Sequence, residues 1–222
     1  MIELIYCDEW LLVANKPAGL LSVPGRGEDK QDCLSSRLQH EFPDALVVHR
    51  LDMATSGLLI FARGAAMQSR LSEMFRERLV TKRYVAVVAG KLETEIGAVN
   101  LPIAADWPNR PLRKIDAELG KPSLTRYRVL SRNTDSTRME LEPVTGRTHQ
   151  LRVHMAAIGH PILGDALYGD APNIKAAERF VRPLARNAGE GCVPRLLLHA
   201  QSLSFTHPVS NMSLNLECAP TF

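Results

Sequence analysis

The sequence predicts an α+β fold rich in antiparallel strands, and three observations point to it. Short apolar runs bounded by Gly, Pro, Asn and Asp recur along all 222 residues. Only three stretches place apolar residues at the spacing of an amphipathic helix. No repeat, low-complexity tract or linker divides the chain, so one continuous domain over 1–222 is expected.

The elements follow in order. Ile2–Tyr6 and Leu11–Ala14 read as short strands, the second broken by the turn residues Asn15-Lys16-Pro17-Ala18-Gly19. Asp32 is placed to cap a helix running to about Phe42, with Leu34, Leu38 and Phe42 four apart and Pro43 as its stop. Leu46–Val48 and Leu58–Ala62 are too brief for helices and read as buried strands flanking a loop. Met67, Leu71, Phe75 and Leu79 keep a four-residue spacing and predict a helix over 65–79. Lys82–Ala89 alternates as a strand, with Tyr84, Ala86 and Val88 on one face. Four prolines between Asn100 and Pro122 predict a long loop, of the kind that is usually functional or disordered. Ser123–Leu130 and Ser136–Glu142 form a hairpin pattern, and Thr148 is the expected N-cap of a helix that ends at Gly159 and Pro161. Residues 164–195 are loop-rich and basic, and Arg195–Ala200 and Met212–Glu217 close the fold as strands.

Composition excludes several classes. With 45% hydrophobic and 23% charged residues the chain matches ordinary globular proteins. Its longest apolar runs fall well short of the roughly 18 residues that span a bilayer. The opening Met1-Ile2-Glu3-Leu4 lacks the basic head of a secretory signal, so a cytoplasmic protein without membrane partners is expected. Cys7, Cys33, Cys192 and Cys218 are widely spaced and include no C-x-x-C pair, which predicts free thiols in a reducing compartment. The net charge of +3 hides an uneven distribution: residues 1–45 carry −4 and residues 108–132 carry +5. Such a basic block can attract a polyanion although the whole chain is nearly neutral.

Chemistry narrows to one carboxylate. His149 and His154 are five apart and diverge on a helix, and no H-E-x-x-H or Cys/His cluster suggests a metal. No G-x-S-x-G elbow, dinucleotide loop or P-loop occurs. Asp52 remains, between two strand-like runs, two residues after Arg50 and just before Thr55-Ser56-Gly57. An Asp so placed can cap a turn or pair with an arginine; held rigidly, it can also serve as a nucleophile or general base.

At this point the chain resembles the RluA-type pseudouridine synthases. The resemblance rests on His49-Arg50-Leu51-Asp52 with Thr55-Ser56-Gly57-Leu58-Leu59, on Asn15-Lys16-Pro17-Ala18-Gly19-Leu20 and on Lys82-Arg83-Tyr84-Val85-Ala86-Val87. Gly146-Arg147-Thr148-His149-Gln150-Leu151-Arg152-Val153-His154, Gly159 to Asp165 and Leu198-His199-Ala200 complete it. Leu21 to Arg26, Asp106 to Pro111 and Arg195 to Ala200 bring it nearest to the branch acting on both 23S rRNA and tRNA, without an N-terminal S4-like domain.

The resemblance implies a mixed, mostly antiparallel sheet flanked by helices, with a catalytic cleft across it. The implied activity isomerises uridine to pseudouridine in RNA stem-loops of 23S rRNA and the tRNA anticodon arm, by a monomer needing no cofactor and no metal. Asp52 is implied as the essential carboxylate, Tyr84 as the ring that stacks on uracil and Arg147 as the basic partner of Asp52. Arg50 would fill the space left by the flipped base, whose extraction costs a few kcal/mol, and Leu198 would wall the pocket. Trp107, Arg110, Arg113 and Lys114 would grip backbone and loop nucleotides as single-strand readers do. Two other readings stand beside this one: an RNA-binding protein that keeps the fold without catalysis, and a hydrolase using Asp52, which would want a second facing carboxylate.

Overall fold

The computed structural model describes residues 2–180 and 195–222, so Cys192 and part of the basic 164–195 stretch lie outside the described residues. The chain forms two compact units, Met1–Lys82 with His199–Pro220 and Arg83–Leu198 with Thr221–Phe222. The fold is α+β and mixed, with parallel pairing beside antiparallel.

In the first unit β1 (Glu3–Cys7) and β2 (Leu11–Lys16) form a hairpin, and α1 (Leu34–Glu41) follows. The cap of α1 corrects the sequence reading. Cys33 takes the N-cap position, its Sγ accepting from the Ser36 N–H, while the Asp32 carboxylate pairs with Arg37 at 2.6 Å in solvent. A guanidinium one turn away competes better for that carboxylate than the helix end does.

β3 (Ala45–Val47) and β4 (Ser56–Arg63) flank the loop that carries Asp52. β4 is the centre of this unit: β2 pairs along its length, and β3 pairs with Phe61–Arg63 on the other edge. After it, α2 (Ala65–Arg76) buries Met67 and Leu71 against Leu11, Val13, Leu58 and Ile60. Each such side chain contributes roughly 1.5–3 kcal/mol by burial. The helix stops three residues before the expected Leu79, which is 57% exposed. Arg78 turns left-handed at φ 62°, and the Leu79 N–H reaches back to the Met74 carbonyl, so the chain leaves in a Schellman turn.

In the second unit β5 (Thr81–Ala89), β6 (Ile96–Asn100), β9 (Leu124–Arg132) and β10 (Ser136–Pro143) pair antiparallel in the order β5-β10-β9-β6. The expected long loop before β9 contains a small separate hairpin, β7 (Ile103–Ala105) with β8 (Arg113–Ile115). Strands of three residues leave no alternation to read, and the prolines sit outside the ladder at 102, 108, 111 and 122.

The helix α3 (Gln150–Ala157) also starts differently from expectation. His149 rather than Thr148 holds the N-cap position, left-handed at φ 57° and without a side-chain cap. The buried Gln150 organises the entry instead: its Oε1 accepts from Arg147 N–H and Thr145 Oγ1, and its Nε2 donates to Leu124 O and Thr125 Oγ1. His154, turned away from His149, bonds Thr125 and Leu101 in the interior, a structural role. The short helix α4 (Ala171–Ala176) follows.

β11 (Leu198–Thr206) and β12 (Ser213–Glu217) return to the first unit. β11 runs parallel to β4 with His199 opposite Ser56 and Ala200 opposite Gly57. Gly57 is required there: its φ is +112°, and a Cβ would lie 2.3 Å from the Ala200 carbonyl oxygen.

Candidate functional site

In the first unit, the Asp52 loop emerges where β3 gives way to β11 along the edge of β4. The gap is filled by a side chain. Ile60 donates its N–H to His49 Nε2 at 3.1 Å, so that nitrogen must be unprotonated. The His49 ring stacks on Phe75 with centroids 4.4 Å apart, and burial, reinforced by Lys82, lowers its pKa to about 3. Because the folded pKa lies below the unfolded 6.5, the unfolded chain binds the extra proton first as pH falls. The His49 contribution to stability is therefore level above about pH 6.5 and is expected to fall by about 1–2 kcal/mol by pH 5, allowing for partial solvation. NMR titration checks this: a His49 imidazole titrating near its ordinary value would contradict it.

The backbone on both sides of Asp52 is clamped. Ser22 Oγ donates to the Leu51 carbonyl at 2.7 Å and accepts the Leu51 N–H at 3.2 Å. The Met53 carbonyl accepts from Gly19 N–H at 2.8 Å and from Lys16 Nζ at 3.0 Å. Lys16 is wholly buried, and its ammonium also donates to the carbonyls of Pro17 at 2.9 Å and Leu20 at 2.7 Å. Thr55 closes the turn by donating its N–H to the Asp52 carbonyl at 3.1 Å. Behind it, the buried Ser56 Oγ meets His199 Nδ1 at 2.9 Å, and His199 Nε2 donates to the Cys218 carbonyl. Asp52 is half-buried at the top of this scaffold and Arg50 is exposed beside it.

In the second unit, Tyr84 is half-buried on β5, opposite Leu141 of β10, and Leu198 is buried. Of the other expected residues, four line one groove of about 610 Å³: Trp107, Arg113, Lys114 and Arg147. Trp107 is 68% exposed, and the Arg110 guanidinium lies 3.6 Å from its ring centroid. Arg113 Nε is buried without a hydrogen-bond acceptor, and Lys121 adds a further cation to the lining. Arg147 is exposed, with its guanidinium 3.4 Å from the Pro122 carbonyl. The one carboxylate in the lining, Asp116, is already engaged. The Leu119 N–H and the Lys114 ammonium hold it below the usual carboxylate range.

The basic block read over 108–132 thus divides. Arg126 and Arg128 leave the groove for Glu142 and Glu140 across the β9–β10 ladder, and Arg132 donates to the carbonyls of Leu92 and Glu93. Sequence reasoning gave no roles to Lys16, Ser22, Arg152, Asp165 and Tyr168. Arg152 and Asp165 form a buried bidentate pair at 2.6 and 2.8 Å, with the guanidinium over the Tyr168 ring. A buried Lys or Arg has no signature in composition; its place inside two quoted motifs was the only signal.

The sequence profile of the RNA pseudouridylate synthase family matches residues 10–157, which include Asp52, Tyr84 and every charged residue of the groove. The chain belongs to that family. As a pseudouridine synthase it is an RNA-acting isomerase. It is 46% identical over 219 residues to the dual-specificity RNA pseudouridine synthase RluA of Yersinia pestis, covering 98% of each chain. With the protein of the same name from Vibrio cholerae it shares 48% over 210 residues, 95% of this chain and 79% of the other. Human RNA pseudouridylate synthase domain containing 1 superposes with a TM-score of 0.78 at 29% identity, covering 100% of this chain and 84% of that one. The family resemblance and the α+β fold are both confirmed, and the non-catalytic and hydrolase readings fall away.

Proposed function

We propose that this pseudouridine synthase modifies uridines in stem-loops of both 23S rRNA and tRNA, the latter in the anticodon arm, as a cytoplasmic monomer. The relatives named dual-specificity support the double substrate. The reaction breaks the bond from ribose C1′ to uracil N1, forms one to C5, releases the C5 proton and protonates N1, so substrate and product are isomers with no net redox change. Asp52 is the essential carboxylate, Tyr84 stacks on the uracil, Leu198 walls the pocket, Arg50 fills the space the base leaves and Arg147 sustains the Asp52 charge. The observation that carries the reading is the clamp around Asp52, where Ser22 holds Leu51 and Lys16 with Gly19 hold Met53. A surface aspartate needs no such fixation; a reacting group does, since a misplacement of about 1 Å can cost roughly 10²-fold in rate.

The groove supplies the grip on RNA. Trp107 with Arg110 offers an aromatic platform, and Arg113, Lys114 and Lys121 offer phosphate contacts. The test is conversion of uridine in a stem-loop RNA by purified protein, with RNA affinity measured against salt. Arg113→Ala and Lys114→Ala are expected to weaken binding and to lower the salt slope by about one per lost phosphate contact. A flat salt response would remove the groove from the RNA path. Arg147→Ala separates two roles in the same assay: loss of kcat supports the partner of Asp52, whereas a raised KM at full kcat would assign Arg147 to the groove.

A further inference from the structure

The turn after Asp165 lines no part of the groove, yet one of its side chains is bonded to both groove walls. Tyr168 Oη accepts the backbone N–H of Arg113 at 2.9 Å and lies 2.7 Å from His149 Nδ1. Arg113 opens β8, which carries the first wall. His149 follows Gly146, Arg147 and Thr148, which form the second. The tyrosine is fixed from below. Asp165 Oδ1 accepts the N–H groups of Leu167 at 2.9 Å and Tyr168 at 3.1 Å while pairing with Arg152. The His149 ring meets the Tyr168 ring edge-on, with centroids 5.6 Å apart.

Both walls gain from such a tie. A two-stranded hairpin of three residues a side does not hold its own geometry in water. The second wall ends in a left-handed histidine, a conformation that persists only where its surroundings enforce it. One hydroxyl spans the two, so its position sets how far Arg113 and Lys114 stand from Arg147.

We propose that Tyr168 is a positioning residue that fixes the spacing of the groove walls and thereby the affinity for RNA, acting through Arg113 and His149. The inference rests on the groove being the RNA grip. Tyr168→Phe tests it, since one oxygen atom is lost and the ring contacts stay. The KM for stem-loop RNA is expected to rise about 5–10-fold, the worth of roughly one hydrogen bond or slightly more, with kcat within about twofold. Amide hydrogen exchange should quicken at Arg113 while the β9–β10 amides keep their protection.

An unchanged KM, or a fall in kcat at constant KM, would overturn the assignment. So would faster exchange throughout the second unit, which would mark an ordinary structural residue. The Arg113→Ala and Lys114→Ala variants tell the two failures apart. If they bind RNA as wild type does, the groove reading itself is lost; if they weaken binding and Tyr168→Phe does not, only the role of Tyr168 is lost.

Discussion

Asp52→Asn is expected to lower turnover of a stem-loop RNA by at least about 10³-fold, equivalent to roughly 4 kcal/mol of lost transition-state stabilisation. Binding should stay within about threefold and the melting temperature within about 2 °C, since asparagine keeps the size and shape of the side chain. The reason lies in how the backbone on either side is held. Ser22, Gly19 and Lys16 hold backbone atoms of Leu51 and Met53, so replacing one carboxylate oxygen by an amide does not disturb the scaffold. Chemistry and fold are thereby separable at this position. Turnover retained within tenfold would remove Asp52 from the reaction, and a large loss of RNA binding would recast it as a binding residue.

Lys16→Met should have the largest effect on stability. The ammonium is wholly buried and donates to three carbonyls at 2.7 to 3.0 Å. Methionine fills the volume and donates nothing, leaving Pro17 and Leu20 carbonyls without this donor; Met53 keeps its bond from Gly19. Two such orphaned acceptors cost about 2–4 kcal/mol, a large share of a typical folding free energy. Activity should fall further than the folded fraction explains, because the turn after Asp52 loses one of its two anchors. Denaturant unfolding followed with kcat at a temperature where the variant is fully folded checks both parts. A midpoint within about 0.5 kcal/mol of wild type would show that the cage contributes nothing net.

Two kinds of information behaved differently between sequence and structure. Periodicity transferred well. The strands at Lys82–Ala89 and Ser136–Glu142 and the helix opened by Met67 and Leu71 lie where alternation and the four-residue spacing placed them, because those patterns are local. Ends transferred poorly. Asp32 lost its cap to Cys33, Thr148 to His149, and the helix over 65–79 stopped at Arg76, each decided by a competing hydrogen bond or a left-handed residue. The β7–β8 hairpin stayed hidden in a proline-rich stretch because three-residue strands carry no period.

The same division runs through the candidate site. By itself the sequence determined the family, the α+β class and Asp52 as the carboxylate worth testing, since short motifs in fixed order survive without knowledge of contacts. Tertiary structure alone decided which charges line the groove. Arg126 and Arg128 look like Arg113 and Lys114 in the chain, yet strand pairing sets them against Glu142 and Glu140 and leaves the other two on the groove. Lys16 stands among turn residues in the chain, yet it is the buried pin of the loop. Burial and pairing are properties of contacts between segments far apart in sequence, such as Lys16 with Met53 or Arg113 with Tyr168, and no local pattern encodes them.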